Sequence, residues 1–182
     1  PCLHPRVVFR DITNRTNQRT VIASLVPSNV FLTNKGPQLL FARGSLDDQA
    51  FVLGVLSSIP LDWYARRFVE TTLNFFIFNP FPIPRPHIAD PLRRRVIDIA
   101  ARLATPDDRF KEWASHFKLE SKVLDAEETN DLIAELDAAV SLLYGLDRKD
   151  VVHIFETFHE GWDHEGRLRA VLEHFRRLRV QV

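Results

Sequence analysis

The sequence predicts an α+β fold in which a mixed sheet unit with one packed helix precedes a C-terminal helical region. Short segments rich in β-branched and aromatic residues concentrate before residue 42, which is typical of strands. After Asp90, capping residues alternate with apolar residues at helical spacing. The proline-rich residues 79–86 separate the two parts. We therefore expect a mixed α/β unit over residues 1–86 and a helical region over residues 87–182.

The first part contains several predicted strands and one predicted helix. A helix is expected over residues 47–68, interrupted at Pro60, with Ser45 and Asp48 as a capping pair at its start. The predicted strands are short apolar or β-branched runs bounded by turn residues. They cover residues 6–12, 20–26, 29–33, 38–42 and 73–78.

The second part carries a signal at the start of each predicted helix. An Asp or Thr followed by proline indicates an N-cap, because proline fits the first helical position. A glycine beyond the last apolar position suits a C-terminal cap. The predicted caps are Asp90 before Pro91, Thr105 before Pro106, Asp125 with Glu128, Asp147 with Asp150, and Gly145.

Composition narrows the class of protein. The 182 residues include 45% hydrophobic residues, but no apolar run long enough for a membrane span, so no membrane partner is expected. Cys2 is the single cysteine, and a chain without internal disulfides fits a reducing cytoplasm. The sequence begins with Pro1 and contains no methionine. We therefore expect it to be a piece of a longer protein.

The charges are distributed unevenly although they balance overall. The chain has 24 basic and 24 acidic residues, but residues 1–44 contain six basic side chains and only Asp11 as an acid. Residues 125–182 contain 7 basic and 13 acidic side chains. A polyanionic partner would thus be bound by the first part, unless the clustering is a chance feature of a solvated surface.

Three short patterns resemble catalytic or metal-binding motifs, and none has the context that its chemistry requires. Residues 79–82 resemble the Asn-Pro-Pro-Tyr motif of amino-methyltransferases but differ at two positions, and no Gly-rich cofactor loop precedes them. Asp107 with residues 120–122 matches a magnesium-nuclease pattern, yet these residues are not expected to converge. The histidines at 153, 159 and 164 lack the spacing of a zinc pair. We therefore expect no catalytic residue, cofactor or metal in these residues.

An ordered series of segments resembles a known family. The combination of strands, helix, proline-rich exit and late helices is similar to the C-terminal target-recognition region of bacterial type IIG-like restriction–modification adenine DNA methyltransferases. It is also similar to the TaqI-like specificity domain and to related phage-defence methyltransferases. The resemblance covers about residues 6–160 and is specific in its order rather than in any one motif. The segments are residues 6–13, 19–27, 29–35, 53–68, 73–84, 136–146 and 154–158.

The resemblance implies a DNA-recognition domain rather than an enzyme. In that family such a domain reads a short double-stranded DNA sequence for a catalytic methyltransferase domain of the same parent chain. That catalytic domain uses S-adenosylmethionine, flips out an adenine and methylates it at N6. The alternative is a non-catalytic scaffold or interaction domain that docks through its helical tail, in which case the basic loops are incidental.

Residues 13–19 are the best candidate for base reading, because forked guanidinium and amide groups can pair with base edges. Trp63 is expected to pack in the core, leaving Arg66 and Arg67 exposed for DNA. For each residue the alternative is a solvated turn. The residues assigned to base reading are Arg15, Asn17, Gln18 and Arg19, and those assigned to phosphate contact are Arg10, Lys35 and Arg43. The other residues expected to bind DNA are Asn14, Asn34, Arg66 and Arg67.

Overall fold

The protein has a small sheet and many helices. The computed structural model describes residues 2–180, and the predicted α+β class is confirmed. The strands are β1 (Arg6–Phe9) and β2 (Ala23–Val26). The helices are α1 (Leu46–Leu56), α2 (Ile59–Ala65), α3 (Phe75–Phe78), α4 (Pro91–Leu103), α5 (Lys111–His116), α6 (Ala126–Leu143), α7 (Arg148–Glu156) and α8 (Glu165–Arg179), and a 3₁₀ turn (Asp108–Phe110) precedes α5.

The sheet is smaller than the sequence predicts. β1 and β2 pair antiparallel, with Arg6 opposite Val26 and Phe9 opposite Ala23. Residues 37–39 run along the other edge of β1, and of these three only Gln38 forms a β-bridge. The predicted strands over residues 6–12, 20–26 and 38–42 thus shorten to β1, β2 and one bridge.

Two predicted strands are wrong. In residues 29–33, Asn29 has a left-handed φ of 61°, which interrupts an extended conformation. In residues 73–78, Asn74 caps a single helical turn, because its side chain accepts from the backbone N–H of Ile77. The composition of a short apolar run does not distinguish a strand from a helical turn.

Most predicted helix ends are confirmed. Ser45 and Asp48 form a capping box, and the helix is interrupted before Pro60, which lies in the first turn of α2. Asp90, Asp125 and Asp147 are N-caps. Gly145 follows the C-cap of α6 with a φ of 70°. Its N–H and that of Leu146 bond back to the last turn of α6, as in a Schellman motif.

The predicted cap at Thr105 is wrong. Asp107 caps the 3₁₀ turn instead, by accepting from the N–H of Arg109. Thr105 is buried, and its hydroxyl donates back to the carbonyl of Ala101 or Arg102 at the end of α4. Burial without a polar partner is costly, and this back-bond satisfies the hydroxyl.

One hydrophobic cluster includes residues of both predicted parts. Helix α4 packs against both α1 and α6, and α8 packs on α6. At the α1–α4 contact, a Cβ built on Gly54 would lie 2.7 Å from Cγ1 of Val96. Glycine thus permits a close approach of the two helices. None of the described helices has the length and apolar character that a membrane crossing demands.

Candidate nucleic-acid interface

The loop of residues 13–19 leads from the end of β1 toward β2, and its own side chains fix its shape. The Thr13 hydroxyl donates to the carbonyl of Thr20 at 2.7 Å and closes the base of the loop. The side-chain oxygen of Asn14 accepts from the backbone N–H of Thr16 at 2.8 Å and that of Asn17 at 3.1 Å. This is the Asx-type turn that asparagine favours, so the Asn14 oxygen serves the loop itself.

Asp62 anchors the C-terminal end of the loop to α2. Its carboxylate is fully buried and accepts from the backbone N–H of Thr20 at 3.0 Å and of Val21 at 3.1 Å. It also binds Nε of Arg19, whose Nη2 donates to the carbonyl of Ser58 at 3.1 Å. Arg19 is therefore turned inward, which gives it a structural role that the sequence did not predict.

Arg66 binds the backbone carbonyls of the loop. Its guanidinium donates to the carbonyls of Arg15 at 2.8 Å, Asn17 at 2.7 Å and Gln18 at 2.6 Å. Its side chain is only 9% exposed, so the prediction that Arg66 is exposed is wrong. Burial lowers the pKa of Arg66 from its usual value, and the neighbouring Asp62 carboxylate opposes this effect.

The turn that follows α7 completes the support. The Arg66 guanidinium lies 3.9 Å from the ring centroid of Phe158, a cation–π contact, and donates to the Phe158 carbonyl at 3.2 Å. His159 Nε2 donates to the carbonyl of Thr16 at 3.0 Å. The loop therefore contacts residues just beyond the C-terminal ends of α2 and α7, which are distant from it in the sequence.

The side chains that the loop turns outward are few. Arg15, Thr16 and Gln18 are exposed, whereas Asn14 and Asn17 are half-buried. With its amide oxygen turned toward Arg10, the Asn17 side chain accepts from Arg10 Nη2 at 2.9 Å. Within residues 2–180, the guanidinium of Arg15 forms no hydrogen bond or ion pair. The loop thus presents one unpaired guanidinium and one exposed amide on a fixed backbone.

The other residues predicted to contact DNA differ in their exposure and in their relation to this loop. Lys35 forms an exposed ion pair with Asp11 at 3.0 Å, directly before the loop. Arg67 is exposed and lies 4.0 Å from the ring centroid of Trp63, which is half-buried. Asn34 and Arg43 are exposed, and neither forms a side-chain hydrogen bond or ion pair with the loop within residues 2–180.

Residues of the three patterns that resemble catalytic or metal sites have other partners or positions in the structure. Asp107 pairs with Arg109 at 2.7 Å, whereas Lys122 lies 3.8 Å from Glu128. Asn79 is the exposed C-cap of α3. In the described part of the chain, no three His, Cys, Asp or Glu side chains are grouped so as to hold a metal ion.

The sequence interpretation missed Asp62 and assigned Arg66 to DNA contact rather than to the support of the loop. One signal was available. Asp62 is a lone carboxylate within an apolar stretch, and such an acid usually has a buried partner. Its spacing from Arg66 is the i, i+4 of a helical pair, and the two side chains lie 3.8 Å apart. The contact with residues 158–159 has no local signal.

Comparison with known proteins gives no relative. No protein-family model, no curated protein and no solved structure matches this chain.

Proposed function

We propose that this chain is a sequence-specific recognition domain for double-stranded DNA, of the kind that serves restriction–modification N6-adenine methyltransferases. The proposal rests on the loop of residues 13–19, whose backbone is held in place by other parts of the chain. Arg66 and Asp62 bind its inward carbonyls and N–H groups, while Arg15 and Gln18 are exposed. Direct readout needs this arrangement, because bidentate donors must be held in register with base edges.

Arg15 and Gln18 have the side chains that read purines in the major groove. A guanidinium pairs with O6 and N7 of guanine, and a glutamine amide pairs with N6 and N7 of adenine. Because the backbone beneath them is already bound at 2.6–2.8 Å by Arg66, less conformational freedom is lost when DNA binds. Arg19 and Arg66 serve as supports for this loop and are left out of the proposed contact set.

Cations near the loop would bind the phosphates. Arg10 and Arg67 are exposed, and within residues 2–180 the Lys35 ammonium is paired only with Asp11, in an exposed ion pair. Exposed pairs of this kind contribute about 0–1 kcal/mol, so the ammonium can exchange Asp11 for a phosphate at little cost. Phosphate contacts position the domain and carry no sequence information.

The proposal assigns methyl transfer to a catalytic domain of the same parent chain. S-adenosylmethionine would bind to that domain and supply the methyl group. The part of this chain is to hold the duplex in one register while the target adenine is flipped out.

Selection from random-sequence duplexes, followed by sequencing, tests the proposal with the 182-residue chain. The unaltered chain should enrich a short motif. Arg15→Ala should relax one base position at a cost of about 1–3 kcal/mol of discrimination. Lys35→Ala should weaken all duplexes alike and reduce the salt slope by about one.

Lys111→Ala is the matched control, because Lys111 is an exposed lysine of α5 outside the proposed contact set. It should leave both motif and salt slope unchanged. If no motif is enriched and binding does not depend on salt, the DNA proposal is wrong and the scaffold interpretation replaces it. If Arg15→Ala lowers affinity but keeps the motif, the loop binds phosphates and does not read bases.

A further inference from the structure

A basic groove with an apolar floor runs along α8 and the start of α7. We call it the α8 groove; its volume is about 790 Å³. Its lining includes four exposed arginines, one on α7 and three on α8, which we call its walls. The apolar residues of the lining, which we call its floor, are Leu172, Phe175 and Val180. The arginines are Arg148, Arg169, Arg176 and Arg179.

These four arginines differ from their neighbours on α8. Arg167 is bound by Asp137 at 2.6 Å and Arg177 by Glu135 at 3.0 Å, and both acids lie on α6. In contrast, none of the four groove arginines forms a side-chain hydrogen bond or ion pair within residues 2–180. The helix packing therefore uses one set of arginines and leaves the other set facing solvent.

Helix electrostatics explain the position of only two of the four arginines. Cations in the last turn of a helix are favoured by its dipole, which accounts for Arg176 and Arg179. Arg148, however, is the first residue of α7, where the dipole disfavours a cation. Arg169 lies outside the last turn of α8. Arg148 and Arg169 line the same groove, and an external anionic partner would pair with both.

We propose that the α8 groove docks an acidic amphipathic segment of a partner protein. The apolar floor favours a peptide over DNA, because an amphipathic helix brings a row of apolar side chains to a groove and a phosphate backbone does not. Val180 is 85% exposed at one end of the floor, so a partner would cover apolar surface there. Acidic side chains flanking that apolar row would meet the arginines on the walls.

One acid in the wall strengthens this choice. Glu173 lines the groove between Arg169 and Arg176. A uniform polyanion would place a phosphate near Glu173, and like charges in contact repel. A peptide can place an apolar or basic side chain there instead. This inference does not depend on the DNA-recognition proposal, since it uses different residues.

The test measures binding of synthetic amphipathic helices to the full chain by fluorescence anisotropy. The probes carry leucines at i, i+3, i+4 and i+7 with glutamates on both flanks, in a panel that covers both orientations of the charged flanks. We expect salt-dependent binding. Arg169→Glu with Arg176→Glu should weaken it about tenfold or more, through lost ion pairs and new repulsion.

Control variants and control probes make the outcome decisive. Lys111→Glu with Lys118→Glu makes the same charge change at two other exposed positions and should leave binding unchanged. Equal melting temperatures of the two double variants would show that both are folded. Probes with glutamine for glutamate, or serine for leucine, should bind more weakly.

Three results would overturn the proposal. The first is that no probe of the panel binds. The second is that the glutamine probes bind as tightly as the glutamate probes. The third is that duplex DNA displaces the peptide from the wild-type chain and binds more weakly to the Arg169→Glu, Arg176→Glu variant. The groove would then be a binding site for nucleic acid.

Discussion

Replacing Asp62 by alanine tests the structural account of the loop directly. The carboxylate has no exposed surface, and it accepts from the backbone N–H of Thr20 and Val21 and from Arg19. Asp62→Ala leaves these donors unpaired and removes the charge that offsets two arginines, the second being Arg66 at 3.8 Å. Removing one partner of a buried ion pair costs about 3–5 kcal/mol. We expect a loss of this size in the free energy of unfolding.

The expected loss corresponds to a large shift in melting temperature. In a domain of this size, each kcal/mol lowers the midpoint by about 2–4 °C, so Asp62→Ala should lower it by roughly 6–20 °C. Urea titration followed by circular dichroism gives the free energy, and a thermal scan gives the midpoint. Asp163→Ala, which removes an exposed acid, should change the stability by about 0.5 kcal/mol or less.

A second substitution separates the charge of Asp62 from its shape. Asp62→Asn keeps an oxygen that can accept from Thr20 or Val21 but removes the negative charge. Hydrogen bonds to charged groups contribute about 1.5–3 kcal/mol each, so the Asn variant should lie between the wild type and Asp62→Ala. A stability of Asp62→Ala within about 1 kcal/mol of the wild type would refute the anchoring role.

Three further predictions address other parts of the fold. Gly54→Ala should lower the free energy of unfolding in urea by about 1–3 kcal/mol, because the new Cβ would lie 2.7 Å from a valine methyl of α4. Gly166→Ala is the control and should be neutral or slightly stabilising, because no atom lies within 4 Å of its Cβ. Burial raises the pKa of Glu135, but the hydrogen bond from Arg95 and the nearby cations have a larger effect and lower this pKa below its usual value of 4.5. The ionised Glu135 therefore stabilises the fold above about pH 4.5, and this stabilisation is lost as pH falls through the lowered pKa. Glu135→Gln should therefore show a smaller drop in melting temperature between about pH 5 and pH 3 than the wild type, and an equal drop would contradict this. Arg66→Lys replaces a planar guanidinium, whose two terminal nitrogens reach separate carbonyls of the loop, with a compact ammonium that cannot reproduce this spread of donors. Hydrogen exchange of the loop amides should therefore accelerate while the core amides stay protected, and unchanged loop exchange would argue against this role of Arg66.

The helix ends were predictable because their signals are local. The capping box of Ser45 and Asp48 involves residues three positions apart, and the left-handed Gly145 needs only the turn that it follows. The strands were less predictable, because pairing depends on distant partners. Residues 73–78 contain the apolar run of a buried strand, yet the Asn74 side chain can cap a helical turn and the run forms α3. Composition alone does not decide between these two outcomes.

The candidate site was predictable as a region, but the roles of its arginines were not. Residues 1–44 have an excess of cations, and that count treats Arg15 and Arg19 alike. In the fold, Arg19 binds a carboxylate 43 positions away in the sequence, while Arg15 has no side-chain partner within residues 2–180. The difference depends on which guanidinium meets the buried Asp62, and only the packing of α2 against the loop decides that. The number of arginines in a sequence is therefore an upper limit on the number of cations that a ligand can contact, because buried carboxylates bind some of them.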